Sequence, residues 1–414
     1  MSIATDRPTA QQPTAGRPAQ PDDARRRNVS AIMRTVLKHA PLARAEVAKI
    51  TGLAPGSVTK MTARMVEVGL LREETAQPVA GMPGRPRVPL SVDPRYRVIG
   101  VHIGLLWSII GVLDLAGRVV DEITVRHGRR TSFEAVLEAV VDQVRRVTDG
   151  PDGRNVLGVG ASAGGWVDPD SGVVVEHPAL RWREAPLREA IARRVRRPVL
   201  VDSTVRAMAL AESWLGESAD VRSLLHVFVG NIVGAGFVFE GRLLRGPGSA
   251  AGNIDHLPVG VRSDRTCRCG RHDCLQVVAS DVAVVAEAQR RGLLESDQEL
   301  SDLAANAHAG DSRAARMLRT RARHVGHATG LLVELLNPER VIVGGGVSDY
   351  PEYLPDLRAA MGERLTRTPH TDLEDLVRPT SFGRQAVMLA SAALFLDAFY
   401  LDPMAFPPLA TGAS

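Results

Sequence analysis

The sequence predicts a mixed α/β protein with a small basic helical head at its N-terminus, and three observations carry that expectation. From about residue 93 onward, short runs rich in Val, Ile and Gly alternate with longer helical stretches, the pattern of an α/β body with parallel strands. Ahead of them, residues 22–90 hold 12 Arg and Lys against 6 Asp and Glu, including every lysine of the chain: Lys38, Lys49 and Lys60. A basic head on a near-neutral body points to a polyanion-binding module joined to an effector module. Third, the 3 cysteines all fall between Cys267 and Cys274. A length of 414 residues fits two or three domains, and 44% hydrophobic with 24% charged residues excludes global disorder.

In order along the chain, residues 1–23 are rich in Pro, Ala, Thr and Gln without an apolar period and read as a disordered tail. Residues 24–92 form the head. Its first helix follows Arg25, Arg26 and Arg27, with Ile32, Val36 and Leu37 on one face. The segment AEVAKITGLAPGSVTKM then spaces small, turn and apolar residues as a helix-turn-helix requires. Val47 and Ala48 face inward, Gly52 permits the turn, Leu53 plugs beneath it, and Val58 and Met61 seat the second helix behind Pro55. Ser57, Thr59, Lys60, Ala63 and Arg64 are left outward, a set able to reach base edges and phosphates in a major groove. A three-helix protein-interaction module is the alternative, against which the basic surplus weighs. Next, Arg85-Pro86-Arg87 falls at the tip of an expected two-stranded wing, where proline-stiffened arginines suit a narrow minor groove; the alternative is a solvated linker.

In the body, VIGVHIG and SIIGVLD read as two strands turning at Leu105–Trp107. VLGVGASA and VLVDS read as buried strands, and LLHVFVG with GAGFVFEG as a hairpin; helices cover Phe133–Val147 and Arg206–Leu215. The longest apolar run, Val98–Leu113, contains His102, Ser108 and several glycines, too short and broken to span a bilayer. With no hydrophobic leader either, a cytoplasmic location is expected and no membrane partner.

Cys267, Cys269 and Cys274, with His256 before them, offer three thiolates and an imidazole. That set matches a closed tetrahedral zinc site of structural type. His272 competes, but lies inside the knuckle, where ring closure would be strained; three free buried cysteines are the other alternative.

This cysteine cluster, with AGNIDH before it and VVAS after it, resembles the zinc signature of the ROK family of repressors, open reading frames and kinases. The helix-turn-helix followed by GRPR is similar to the regulator branch of that family, and the resemblance runs from about Arg25 to Asp402. LLNPERVIVGGGV, with Gly344, Gly345 and Gly346, resembles the family's adenosine-side segment. It implies a winged helix-turn-helix followed by a two-lobed, actin- and hexokinase-like (ribonuclease H-like) body over residues 93–414. The smaller lobe would span about 93–210 plus a C-terminal helix at about 384–402, and the larger lobe about 211–383 with the zinc site.

Departures from the family pattern are informative. Asp-x-Gly-Gly-Thr becomes His102-Ile-Gly104-Leu105-Leu106, placing apolar side chains where phosphate would approach amides. Glu-Asn-Asp-Ala-Asn becomes Asp202-Ser203-Thr204-Val205-Arg206, so a hydroxyl, Thr204, stands at the general-base position; a missing general base alone costs about 10²–10⁴ in rate. The second phosphate loop keeps Gly230, Gly234 and Gly236 but carries Ile232. In the sugar pocket Ala179, Asn253 and Gln276 replace the family's Asn, Glu and Glu, beside Ser203, Thr204 and His256 as the remaining effector-pocket positions. The expectation is a DNA-binding transcriptional regulator, of the repressor type, without catalysis. It would have structural zinc, a homodimeric or higher assembly, a palindromic operator and a sugar-like effector. Alternatives are a sugar kinase with an added DNA-binding head and a ligand-independent regulator.

Overall fold

The computed structural model describes residues 21–75, 88–128, 131–365, 372–403 and 406. The tail reading for residues 1–20 and the Arg85-Pro86-Arg87 tip lie outside them. The described residues up to Val92, joined by Phe399–Pro403 and Phe406, cluster as one compact unit, and the described residues of Asp93–Ala398 as a second. The division falls between Val92 and Asp93, with the last turn of the C-terminal helix, from Phe399, in the first cluster.

The first unit comprises α1 (Pro21–His39), β1 (Leu42–Ala43), α2 (Arg44–Thr51), α3 (Pro55–Glu67), β2 (Leu71–Glu73) and β3 (Pro89–Val92). Helix α1 begins inside the stretch assigned to the tail, because proline's fixed φ suits the first helical position and the residues after it continue the same turn. Val29, Ile32, Met33 and Val36 form its buried stripe. The strands pair antiparallel in the order β1-β3-β2, Leu42 opposite Leu90 and Leu71 opposite Val92. The wing expected as two strands carries a third, since a two-residue strand has no period to read.

The second unit holds two halves. The first is β4 (Arg97–Ile103), β5 (Trp107–Asp114), β6 (Val119–Arg126), α4 (Phe133–Thr148), β7 (Val156–Ala163), β8 (Trp166–Asp168), β9 (Val173–His177), β10 (Trp182–Ala185), α5 (Leu187–Val195), β11 (Val199–Ser203) and α6 (Thr204–Leu215). The second is β12 (Ser223–Val229), β13 (Val233–Phe239), β14 (Arg242–Leu243), α7 (Leu275–Ala279), α8 (Asp281–Arg290), α9 (Leu300–His308), α10 (Ser312–Leu336), β15 (Arg340–Gly344), α11 (Leu354–Gly362), α12 (Leu373–Leu376), β16 (Val377–Pro379) and α13 (Ala386–Leu401). Their sheets run β11-β7-β4-β5-β6 and β14-β13-β12-β15-β16. In each, the first strand is central, the second and third lie antiparallel on one side, and the fourth and fifth lie parallel on the other. The same topology is thus used twice. Strands β4 and β7 are buried nearly throughout, as parallel strands covered on both faces are. Helix α13 lies directly on this first sheet: a Cβ at Gly100 would come 2.6 Å from the Met388 carbonyl oxygen, and one at Gly160 would strike that of Ser391. Only glycine allows a helix backbone so close. A small antiparallel sheet, β10-β9-β8, sits outside this scheme.

Candidate nucleic-acid interface, metal centre and buried polar network

The head forms a helix-turn-helix. Gly52 closes α2 with φ of 70°, and Pro55 opens α3 at its first turn. Val47 and Ala48 on α2 are buried, as are Val58, Thr62 and Met65 on α3, while Met61 and Leu53 are half-buried. Thr59, Lys60, Ala63 and Arg64 are exposed together on the opposite face; Ser57 is half-buried at its edge. Arg64 makes a 2.7 Å ion pair with Glu67, and Thr59 bonds back to the Pro55 carbonyl at 2.9 Å.

The donor atoms of His256, Cys267, Cys269 and Cys274 lie within 4.8 Å of one another. Cys267 Sγ is 3.2 Å from His256 Nδ1, and Cys269 Sγ is 3.4 Å from Cys274 Sγ. Bonds of about 2.0–2.3 Å to one tetrahedral ion give donor separations of about 3.3–3.8 Å, so the set fits a metal such as zinc. Asp255 stands 3.5 Å from His256 Nε2, on the ring edge away from the thiols, where a carboxylate fixes a ligating imidazole. His272 instead faces the Ser263 carbonyl, which separates it from the cluster. A hydrogen bond from Arg271 lowers the Cys269 thiol to about 6, whereas burial pushes Cys274 up to about 12. A metal bound here would need all three thiols as thiolates, so its binding would release their protons.

His102, Ser162, Ser203 and Thr204 lie at the carboxyl ends of β4, β7 and β11. Burial, and then the neighbouring His177, lowers His102 to about 3, so its imidazole stays neutral. It lies 3.2 Å from Ser162 Oγ, which is 2.8 Å from Ser391 Oγ. Thr204 Oγ1 joins the same buried network, 3.4 Å from both His102 Nδ1 and Ser162 Oγ. The hydroxyl at the base position is thus held among neutral groups. Ser203 caps α6. Gln276 receives the Val233 amide at 3.1 Å and donates to the Asn231 carbonyl at 3.0 Å, so its amide pins the second phosphate loop. Ala179 and Asn253 are exposed.

Arg206 is a residue whose role sequence reasoning missed. It is 3% exposed; its guanidinium donates to Asp202 at 2.6 Å, to the Ser249 carbonyl at 2.7 Å and to the Val167 carbonyl at 2.7 Å. Arg245 reaches the other Asp202 oxygen at 3.2 Å. Two segments distant in sequence, β8 and the turn at Pro247–Ser249, are therefore held by one buried side chain. Asp202 lies in β11, ahead of the helix, so its spacing of four from Arg206 carried no helical pairing signal.

A winged helix-turn-helix followed by a duplicated, actin- and hexokinase-like α/β body defines a class of DNA-binding heads on sugar-kinase-like bodies. The ROK family model matches residues 98–398, and the chain belongs to the ROK family. It is 33% identical over 390 residues to the transcriptional regulator Rv0485 of Mycobacterium tuberculosis, covering 91% of this chain and 86% of the relative. To the DNA-binding transcriptional dual regulator NagC of Escherichia coli it is 28% identical over 375 residues, covering 87% and 90%. The crystal structure of a ROK family transcriptional regulator, a homologue of the E. coli MLC protein, shares the fold with a TM-score of 0.78 at 24% identity, over 94% of this chain and 100% of that one. A ROK glucokinase from Streptomyces griseus matches over 72% of this chain and 98% of its own, with TM-score 0.64 and 27% identity. No helix among the described residues is long and apolar enough to cross a membrane.

Proposed function

We propose that the chain is a DNA-binding transcriptional repressor whose kinase-like body has lost catalysis and serves as effector and dimerisation domain. The observation that carries the reading is α3: Thr59, Lys60, Ala63 and Arg64 stand exposed on one face while Val58, Thr62 and Met65 anchor the other. Ser57, Thr59, Lys60 and Arg64 would meet the major groove, and Arg85 and Arg87 the minor groove. Two heads in a homodimer would match a palindromic operator. Zinc held by His256, Cys267, Cys269 and Cys274 would fix the knuckle. Relatives named for regulation, including an N-acetylglucosamine repressor, support a sugar-like effector. Its candidate contacts are Ala179, Ser203, Thr204, Asn253, His256 and Gln276, with the Gln276 amide already engaged.

Two results test this. Affinity for DNA should fall with salt at a log–log slope of about −0.9 per phosphate contact, and Lys60→Ala or Arg64→Ala should weaken binding and lower that slope by about 1 each. An affinity indifferent to salt, with both variants silent, contradicts the assignment. Purified protein should show no sugar-dependent ATP turnover above a protein-free control, because Thr204 accepts no proton near neutral pH and Leu105, Leu106 and Ile232 crowd the phosphate loops. Turnover abolished by Thr204→Val would restore the kinase reading.

A further inference from the structure

We propose that Arg44 is a positioning residue that sets the angle between the recognition helix and the wing, and so governs how well the head tells one DNA sequence from another. The proposal rests on the DNA-binding reading above. Arg44 opens α2, outside the exposed face of α3, and its side chain is 24% exposed. Its Nε donates to Thr62 Oγ1 at 3.0 Å, and its Nη2 donates to Glu73 Oε1 at 2.8 Å. Thr62 is fully buried in α3 and spends its own proton on the Val58 carbonyl at 2.8 Å, which leaves an oxygen lone pair for Arg44. Glu73 is the last residue of β2, the strand that leads into the wing.

One planar group therefore ties three elements together: the helix before the turn, the recognition helix and the wing. A guanidinium does this because its donors diverge at fixed angles within one plane; a lysine ammonium has no such fork. Thr62 lies behind the face that carries Lys60 and Arg64, so any shift it permits re-aims both. Base contacts need alignment, whereas phosphate contacts are forgiving of it, and the two kinds of binding should respond differently.

The test uses full-length protein and two duplexes of equal length: one recovered by the protein from a random-sequence library, and a shuffled version of it. Arg44→Ala and Glu73→Ala should each reduce the ratio of the two affinities by about tenfold or more, the size of one lost base contact. Binding to the shuffled duplex should stay within about twofold, as for other surface changes, and the salt slope should not move. Glu73→Gln, which keeps the acceptor oxygen, should retain the ratio. Glu73 is exposed, so its variants leave the fold standing, and its sign is diagnostic: removing an acid by charge alone raises affinity for both duplexes. That rise would overturn the proposal. So would an Arg44→Ala protein that loses affinity for both duplexes alike with a slope lower by about 0.9, the mark of a direct phosphate contact. A wild-type protein that does not separate the two duplexes overturns the DNA-binding reading and this proposal with it.

Discussion

Cys269→Ser is expected to abolish metal binding at the knuckle and to lower the thermal midpoint of the protein with it. The exposed Cys269 is the informative choice, because replacing it disturbs no packing, whereas Cys267 and Cys274 are buried. The knuckle has no helix or strand of its own: among the described residues, the segment from His256 to Cys274 is held by an isolated bridge between Pro258 and Cys274 and by a few backbone hydrogen bonds, such as Val259 to Asp273 and Ser263 to His272. Structural zinc provides about 10–16 kcal/mol of apparent binding energy in small peptides. If a third of the lower figure reaches the body as stability, the midpoint falls by roughly 7–13 °C at about 2–4 °C per kcal/mol. Metal content by elemental analysis and the melting curve should change together, and a chelator should reproduce the variant in wild type. Native protein without stoichiometric zinc refutes the assignment.

Arg206→Met destabilises the body by about 3–5 kcal/mol, since it leaves the buried Asp202 carboxylate facing two carbonyls that have lost their donor. Arg245 remains on one Asp202 oxygen and softens the loss. Pairing the change with Asp202→Leu should recover only the part of the loss that comes from the unpaired carboxylate, since a buried ion pair exchanged for apolar groups is often close to neutral. What persists is the two unpaired carbonyls, at about 1–3 kcal/mol each. Urea midpoints of wild type, both single variants and the double variant measure the coupling. A single-variant cost under about 1 kcal/mol, the range of a solvated pair, would show that water reaches the guanidinium.

The residues that announced themselves in the sequence were those whose chemistry is local. Gly52, Pro55 and the apolar pair Val47–Val58 specify a turn between two helices within a dozen positions, and the structure places them so. Cys267, Cys269, Cys274 and His256 were legible because metal ligands must be of few types at short spacing. The strands β4, β5, β7 and β11 were legible as apolar runs. The sheet β8–β10 was not: its strands are three to five residues long and interrupted by Pro169, Gly172 and Pro178, which read as loop. Arg206 looked like an altered motif residue, and nothing in its neighbours foretold a buried guanidinium, because its partners at Val167 and Ser249 are backbone carbonyls brought close only by the fold. The structural task of Gln276 was equally hidden. An amide able to bond a ligand is equally able to bond a loop, and the turn at Asn231–Val233 takes it first.

The central claim is that the head on α2 and α3 binds specific DNA. Sheared genomic DNA passed over immobilised full-length protein at low salt, washed at rising salt and sequenced, tests it most directly. The account predicts enrichment of a small set of fragments sharing a two-fold symmetric motif, and loss of that enrichment in a Lys60→Ala, Arg64→Ala double variant. Recovery of no fragment above the input, at any salt, would contradict it.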